Sequence, residues 1–192
     1  MTDAAMNENR GPVLLGLARA SIASAFAPAA CADQTASWLR DNGACFVTLM
    51  QDGDLRGCIG SIEAYRPLLE DVTANARASA FRDPRFPPLG ADELDSTRIE
   101  VSLLSAREPL PARSEAEALE RIRPHVDGIV LEWGRHRGTF LPQVWEALPD
   151  GRDFLGHLKL KARLPKDFWS DEIRLYRYQV AKWSEPEAGR TA

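Results

Sequence analysis

The run Leu55-Arg56-Gly57-Cys58-Ile59-Gly60 concentrates more chemistry than any other stretch of the chain. Laid out as a strand, it sets Arg56, Cys58 and Gly60 on one side and Leu55, Gly57 and Ile59 on the other. Same-side neighbours on a strand stand roughly 6.5–7 Å apart, so an arginine can fold over a cysteine, and a guanidinium beside a thiol favours thiolate. Two glycines in six strand residues weaken the strand and mark close approach by a ligand or another backbone. The expected site is a glycine-framed thiol: Cys58 is the nucleophile or thiol carrier, Arg56 holds a small anionic ligand, and Gly57 and Gly60 leave room. A small cysteine packed into a tight strand gives the same pattern, so a packing role stays open.

Other candidates are more scattered. Asp83 and Arg85 flank Pro84 in a loop stiffened by Pro84, Pro87 and Pro88; they either bind a ligand or pin the end of the preceding helix. Glu100 lies on the polar side of a half-buried strand and either pairs with Arg56 or faces solvent. Gln143 follows Pro142 at a helix start, and its amide can serve a ligand or the loop backbone. His125, His136 and His157 are widely spaced and no CxxC is present, so no metal site is expected. No phosphate-cradling glycine loop and no GxSxG elbow occur, and no cofactor is expected.

The elements that must position these residues follow from apolar spacing. Helices are predicted over residues 12–28, 35–40, 67–82, 114–121, 142–148 and 153–164. Strands are predicted over 44–50 and 55–60 around a turn at 51–54, over 98–105, over 128–133 and 138–141 around a basic turn, and over 173–183 with a bulge at Leu175-Tyr176. Both faces of 44–50 are apolar, which places the first hairpin inside a sheet. The 51–54 turn sets Cys58 opposite Val47, with Cys45 and Cys58 on one face. Strands arrive as hairpins with helices between, so the fold class is α+β with a mainly antiparallel sheet.

Composition bounds the rest. The chain has 192 residues, 24 Lys plus Arg against 28 Asp plus Glu, a net charge of −4, 44 % apolar and 27 % charged residues. That excludes a disordered chain, a collagen-like chain and a coiled-coil rod. The acidic balance argues against nucleic acid and anionic membranes, and the basic clusters at 135–137 and 159–166 read as solvated surface. No apolar run approaches the ~20 residues of a membrane span, the first eleven residues are polar, and three cysteines suit a reducing compartment; the expected location is cytoplasmic. Residues 1–10 and 184–192 read as flexible ends around a domain at 11–183.

The hexapeptide LRGCIG, with ASAFRDPRFP at 78–87, EVSLLS at 100–105, GTFLPQVWE at 138–146 and FLGHLKLKARL at 154–164, in that order, resembles the AMMECR1 domain family. Its bacterial and archaeal members are called AmmeMemoRadiSam system protein A. The resemblance implies an α+β fold with a larger and a smaller subdomain, and a role beside a Memo-like protein and a radical SAM enzyme. It brings no established reaction. Two roles remain open: an enzyme component built on Cys58, or a non-catalytic binding module in that assembly. Where family members often carry cysteine this chain has Lys159, and where they carry glycine it has Arg163, so a two-cysteine mechanism is not implied.

Overall fold

The structure is a computed structural model that describes residues 10–28 and 32–186. In chain order the elements are α1 (Arg10–Ala23), a 3-10 turn (Ser37–Arg40), β1 (Asn42–Gln51), β2 (Asp54–Gly60), β3 (Arg66–Pro67), α2 (Leu68–Phe81), a second 3-10 turn (Ala91–Glu93) and β4 (Arg98–Leu104). Then come β5 (Glu108–Pro109), α3 (Glu115–Arg121), β6 (Gly128–Trp133), β7 (His136–Phe140), α4 (Val144–Ala147), α5 (Gly151–Lys161), β8 (Arg174–Tyr178) and β9 (Val180–Ser184). The chain divides into two units, one running to Leu104 and resuming at Ala181, the other covering Ser105–Val180. The α+β class, the antiparallel pairing and the division into a larger and a smaller part all agree with expectation.

In the larger unit the strand order is β2-β1-β4-β9, with β3 beside the start of β1. Cys45, Val47 and Leu49 of β1 and Ile99, Val101 and Leu103 of β4 form one face. They pack with Leu14, Leu17 and Ile22 of α1 and Leu68, Val72, Ala76 and Ala80 of α2 in a single core. Phe46, Thr48 and Met50 point the other way and are half-buried. Thus β1 is interior, as its two apolar faces predict, but β2 lies at the sheet's edge, which corrects the expectation that the whole hairpin is interior.

The register is corrected too. Asp52 and Gly53 both have positive φ, 51° and 89°, and Gln51 pairs with Asp54, so the turn has two central residues. The ladder then slips: Met50 pairs with Leu55 but Leu49 with Gly57, leaving Arg56 as the extra residue of a bulge. A one-residue slip turns every later side chain to the opposite face. Cys58 consequently stands opposite Thr48 and Gly60 opposite Phe46, so Cys45 and Cys58 occupy different faces.

The smaller unit has the strand order β5-β8-β6-β7. Its core gathers Ile129, Leu131, Leu175, Trp145, Phe154, Leu155 and Leu158. Asp150 caps α5 by accepting from the amides of Arg152 and Asp153. His136 and Arg137, read as turn, are the first residues of β7, and the strand predicted over 173–183 is two strands in two units, parted at Gln179. Helix α1 ends at Ala23, short of Pro28. At the chain's end Ser184 donates to Glu100, and Glu185 accepts from Arg19 and the Ile99 amide, so both are anchored where a loose tail was expected. Residues 1–9, Cys31 and 187–192 lie outside the described residues. No helix among the described residues is long and apolar enough to cross a membrane.

Candidate functional site

The edge strand β2 is held by a line of polar side chains that begins on α2. Asp71, Asn75 and Ser79 recur at helical spacing and are buried, and Asp83 follows four residues on. The Cys45 amide donates to Asp71 Oδ2 at 2.9 Å, and Asn75 Nδ2 donates to the Cys45 carbonyl at 3.0 Å. Ser79 Oγ donates to the Val47 carbonyl at 2.7 Å and accepts from the Ile59 amide at 2.9 Å, bridging β1 and β2. Asp83 Oδ2 accepts the Cys58 amide at 2.9 Å. Buried backbone groups must be paired, and here helix side chains supply what the strand ladder does not. The apolar stripe of this helix is legible in the sequence; the polar line beside it was missed, although its i, i+4, i+8 spacing was the available signal.

That close docking explains Gly57, and a ring on the other face explains Gly60. A Cβ on Gly57 would lie 2.3 Å from the Ser79 carbonyl oxygen, and one on Gly60 2.3 Å from the Phe46 ring. Both positions serve packing within the protein, against a helix backbone and an aromatic ring.

Arg56 does not hold a free anion. Its Nε and Nη2 donate to the two oxygens of Glu93 at 3.0 and 3.1 Å, and Nη1 to the Pro87 carbonyl at 2.9 Å. This fork ties the bulged residue to the proline loop and the 3-10 turn. The hydrogen bonds from Arg56, then from the Gly90 amide, pull the Glu93 carboxyl down to about 2. Glu100 pairs instead with Lys182 at 2.5 Å and Arg98 at 3.2 Å, and accepts from Ser184 at 2.9 Å. Burial pushes its carboxyl up, but bonds from Lys182 and Ser184 outweigh that and hold it below the usual range.

The cation beside Cys58 is Arg85. Its Nη2 donates to the Cys58 carbonyl at 3.2 Å and to Asp83 Oδ2 at 2.6 Å, and its Nε to Asp83 Oδ1 at 2.9 Å. The Asp83 side chain is 1 % exposed and that of Arg85 52 %. Arg85 is the main reason the Asp83 carboxyl sits well below the usual range, with the Cys58 amide adding to it. Asp83 in turn holds Arg85 more firmly cationic. Cys58 itself is half-buried, and its Sγ accepts from Thr48 Oγ1 at 3.4 Å. Across the sheet Thr48 pairs with Cys58 on one side and Glu100 on the other, giving a row Cys58–Thr48–Glu100 on the face away from the helices.

The structure thus brings together Cys58, Asp83 and Arg85, while Glu100 lies two strands from Cys58, across Thr48. Arg56, Gly57 and Gly60 form the frame. Gln143 belongs to the smaller unit, exposed before α4 with its side chain capping nothing. Thr48, Ser79 and Glu93 are contributors that sequence reasoning did not find. Cys45 makes the contrast: it is fully buried, and desolvation with the nearby Asp71 charge pushes its thiol well above the ordinary value. Lys159, at the position where a cysteine was noted as common, is fully buried with Nζ on Glu115 at 3.0 Å. Among the described residues no group of three His, Cys, Asp or Glu gathers to hold a metal.

Comparison with known proteins agrees with this architecture. The AMMECR1 family model matches residues 15–183. A protein of Methanocaldococcus jannaschii is 41 % identical over 151 residues, covering 74 % of this chain and 73 % of that one. A protein of Methanothermobacter thermautotrophicus is 43 % identical over 146 residues, covering 73 % and 74 %. The crystal structure of a Pyrococcus horikoshii protein superposes with a TM-score of 0.76 at 31 % identity over 93 % of both chains. A family model spanning most of the chain and relatives this similar lead to one conclusion: the chain belongs to the AMMECR1 family.

Proposed function

We propose that this protein is an enzyme component that presents Cys58 as a reactive thiol and acts with a Memo-like protein and a radical SAM enzyme. The observation that supports it is the asymmetry of the two described cysteines. Cys45 is sealed in the core, whereas Cys58 is half-buried, accepts a hydroxyl hydrogen from Thr48, and has the exposed guanidinium of Arg85 on its own carbonyl. A thiol must be reachable to react, and of these two only Cys58 is. A small anionic ligand approaching Cys58 would meet Arg85, since Arg56 is spent on Glu93 and Pro87. Asp83 keeps Arg85 in place, and Gly57 with Ser79 keeps the strand in register behind the thiol.

The reading is tested by reconstitution. The purified chain, a Memo-like protein and a radical SAM enzyme are incubated anaerobically with S-adenosylmethionine. Mass changes on each protein and S-adenosylmethionine consumption are followed for wild type and Cys58→Ser. The expected result is a modification or turnover that needs the chain and is lost with Cys58→Ser. If Cys58→Ser supports the reaction as well as wild type, the role is that of a non-catalytic binding module.

A further inference from the structure

We infer that Glu185, just past β9, is the buckle of a strap: through Arg19 it fastens the turn at 90–97 and so controls how firmly Arg56 of the hexapeptide is held. The pair joins parts of the larger unit that lie far apart in sequence. Arg19 on α1 donates from Nε to Glu185 Oε1 at 3.0 Å and from Nη2 to Glu185 Oε2. The same guanidinium donates from Nη1 to the Leu94 carbonyl and from Nη2 to the Thr97 carbonyl, both at 2.7 Å. Glu185 is fixed in turn by β4: its amide donates to the Ile99 carbonyl at 2.9 Å, and its Oε2 accepts from the Ile99 amide at 2.8 Å. A planar guanidinium can grip a carboxylate and two carbonyls at once; a lysine ammonium cannot match that fork.

From the buckle an unbroken run of hydrogen bonds leads to the hexapeptide. Thr97 is 2 % exposed; its Oγ1 donates to the Glu93 carbonyl at 2.8 Å and accepts from Gln51 Nε2 at 2.9 Å. Gln51 Nε2 also donates to Glu93 Oε1 at 3.2 Å. Glu93 is the hub: its two oxygens take the Arg56 fork, and Oε2 also accepts from the Gly90 amide at 2.7 Å. Apolar ties are few here. No residue from 90 to 96 is buried, and Leu94 packs only half-buried against the core. A segment with little buried surface opens locally at lower cost than the core, so its order depends on these polar ties. The Arg19 and Glu185 side chains are 30 % and 20 % exposed, so water reaches the buckle without the core unfolding.

The strap has a definite reach. Leu89 is 3 % exposed, and its amide donates to the Ala80 carbonyl at 2.8 Å, which anchors the chain to the end of α2 just before the turn. Releasing Glu185 therefore loosens residues 90–97 and the carboxylate on Arg56, and leaves Asp83 and Arg85 in place on Cys58. Whatever lifts the chain from residue 185 onward acts at a distance on the guanidinium of the hexapeptide. The inference does not rest on the reading of Cys58.

The test is hydrogen exchange of the full chain, read residue by residue by NMR, for wild type, Glu185→Ala and Arg19→Lys. Glu185→Ala keeps the backbone bond to Ile99 and removes the carboxylate. The amides of Gly90, Glu93 and Thr97 and the Arg56 Nε–H are expected to exchange about tenfold faster, the scale of one lost charge-assisted hydrogen bond. The amides of Leu89 and Arg82, bonded to Ala80 and Ala78, should change no more than that of Val47 in the core of β1. Arg19→Lys should reproduce the pattern, because the ammonium keeps the charge and loses the fork. Should Glu185→Ala fold poorly, Glu185→Gln is read in the same way, with a smaller increase expected. Equal acceleration of all these amides would mean that the pair only adds global stability and would overturn the proposal. Unchanged exchange at Gly90, Glu93 and Thr97, or acceleration at Leu89 matching theirs, would overturn it too.

Discussion

Replacing Gly57 by alanine tests whether the motif glycine serves the helix behind it. The new Cβ would lie 2.3 Å from the Ser79 carbonyl oxygen and 3.2 Å from its carbon. Ordinary contact needs about 3.5 Å, so α2 and β2 must part by about 1 Å. Overpacking of this kind costs about 1–3 kcal/mol. Parting the elements also strains the Ser79 bridge to Val47 and Ile59, and a buried backbone group left unpaired costs a further ~1–3 kcal/mol. A net loss of about 3 kcal/mol is expected. Gly16 is the control: it is exposed on α1 with nothing within 4 Å of its hypothetical Cβ, so Gly16→Ala should stabilise by about 0.5–1 kcal/mol. Both substitutions remove the same freedom from the unfolded chain, so their difference, close to 4 kcal/mol, isolates the contact. Urea unfolding followed by far-UV circular dichroism and tryptophan fluorescence reads it as a shift in midpoint. If Gly57→Ala matches Gly16→Ala in stability, the helix is not what excludes a side chain there, and room for a ligand becomes the reason for the glycine.

Arg56→Lys keeps the charge but loses the fork to Glu93 and the bond to Pro87; it should cost about 1–2 kcal/mol in urea unfolding while leaving the rate of Cys58 alkylation unchanged. Acid stability carries a defined sign. Glu93 and Asp83 both hold their protons less tightly folded than unfolded, so the unfolded chain takes up protons first and stability falls with pH. For Glu93 the loss runs from its ordinary 4.5 down to about 2, and for Asp83 it begins below 3.8. Glu93→Gln should lower stability at neutral pH and flatten its decline over the same window, measured by urea midpoints at a series of pH values; an unchanged slope would mean that the Arg56–Glu93 pair adds nothing.

How far the fold was legible depends on which physics decides each element. The hairpins, the capped helix at Ser114 and the apolar stripes of α2 and α5 follow from local spacing and turn chemistry, and the sequence displays both. The bulge at Arg56 does not. Nothing in LRGCIG says which residue will be extra, because the slip is decided by Gly57 packing on the Ser79 carbonyl and by Arg56 reaching Glu93, 37 residues away. That single slip moved Cys58 to the face away from the helices and made Arg85, not Arg56, its cationic neighbour. Glu93 carries no local mark as the partner of Arg56. Likewise the split of 173–183 into β8 and β9 is decided by which sheet each half joins, and a continuous β-rich run of residues conceals it. The hexapeptide and the proline loop, 25 residues apart, meet in the fold, where Asp83 accepts from the Cys58 amide and Arg85 donates to its carbonyl. The partner of each side chain there is set by contacts that local spacing does not display, such as Arg56 with Glu93.

The most direct measurement is alkylation of the native chain by iodoacetamide, with site-resolved mass spectrometry of digests over time. Cys58 is expected to react while the protein is folded, and Cys45 only after denaturant exposes it, since burial and Asp71 keep that thiol protonated. Arg85→Ala should slow the reaction at Cys58 several-fold, in keeping with loss of a nearby cation, and Arg56→Lys should not. Modification of Cys58 at the same slow rate as Cys45, appearing only on unfolding, would contradict the account and leave Cys58 a packing residue.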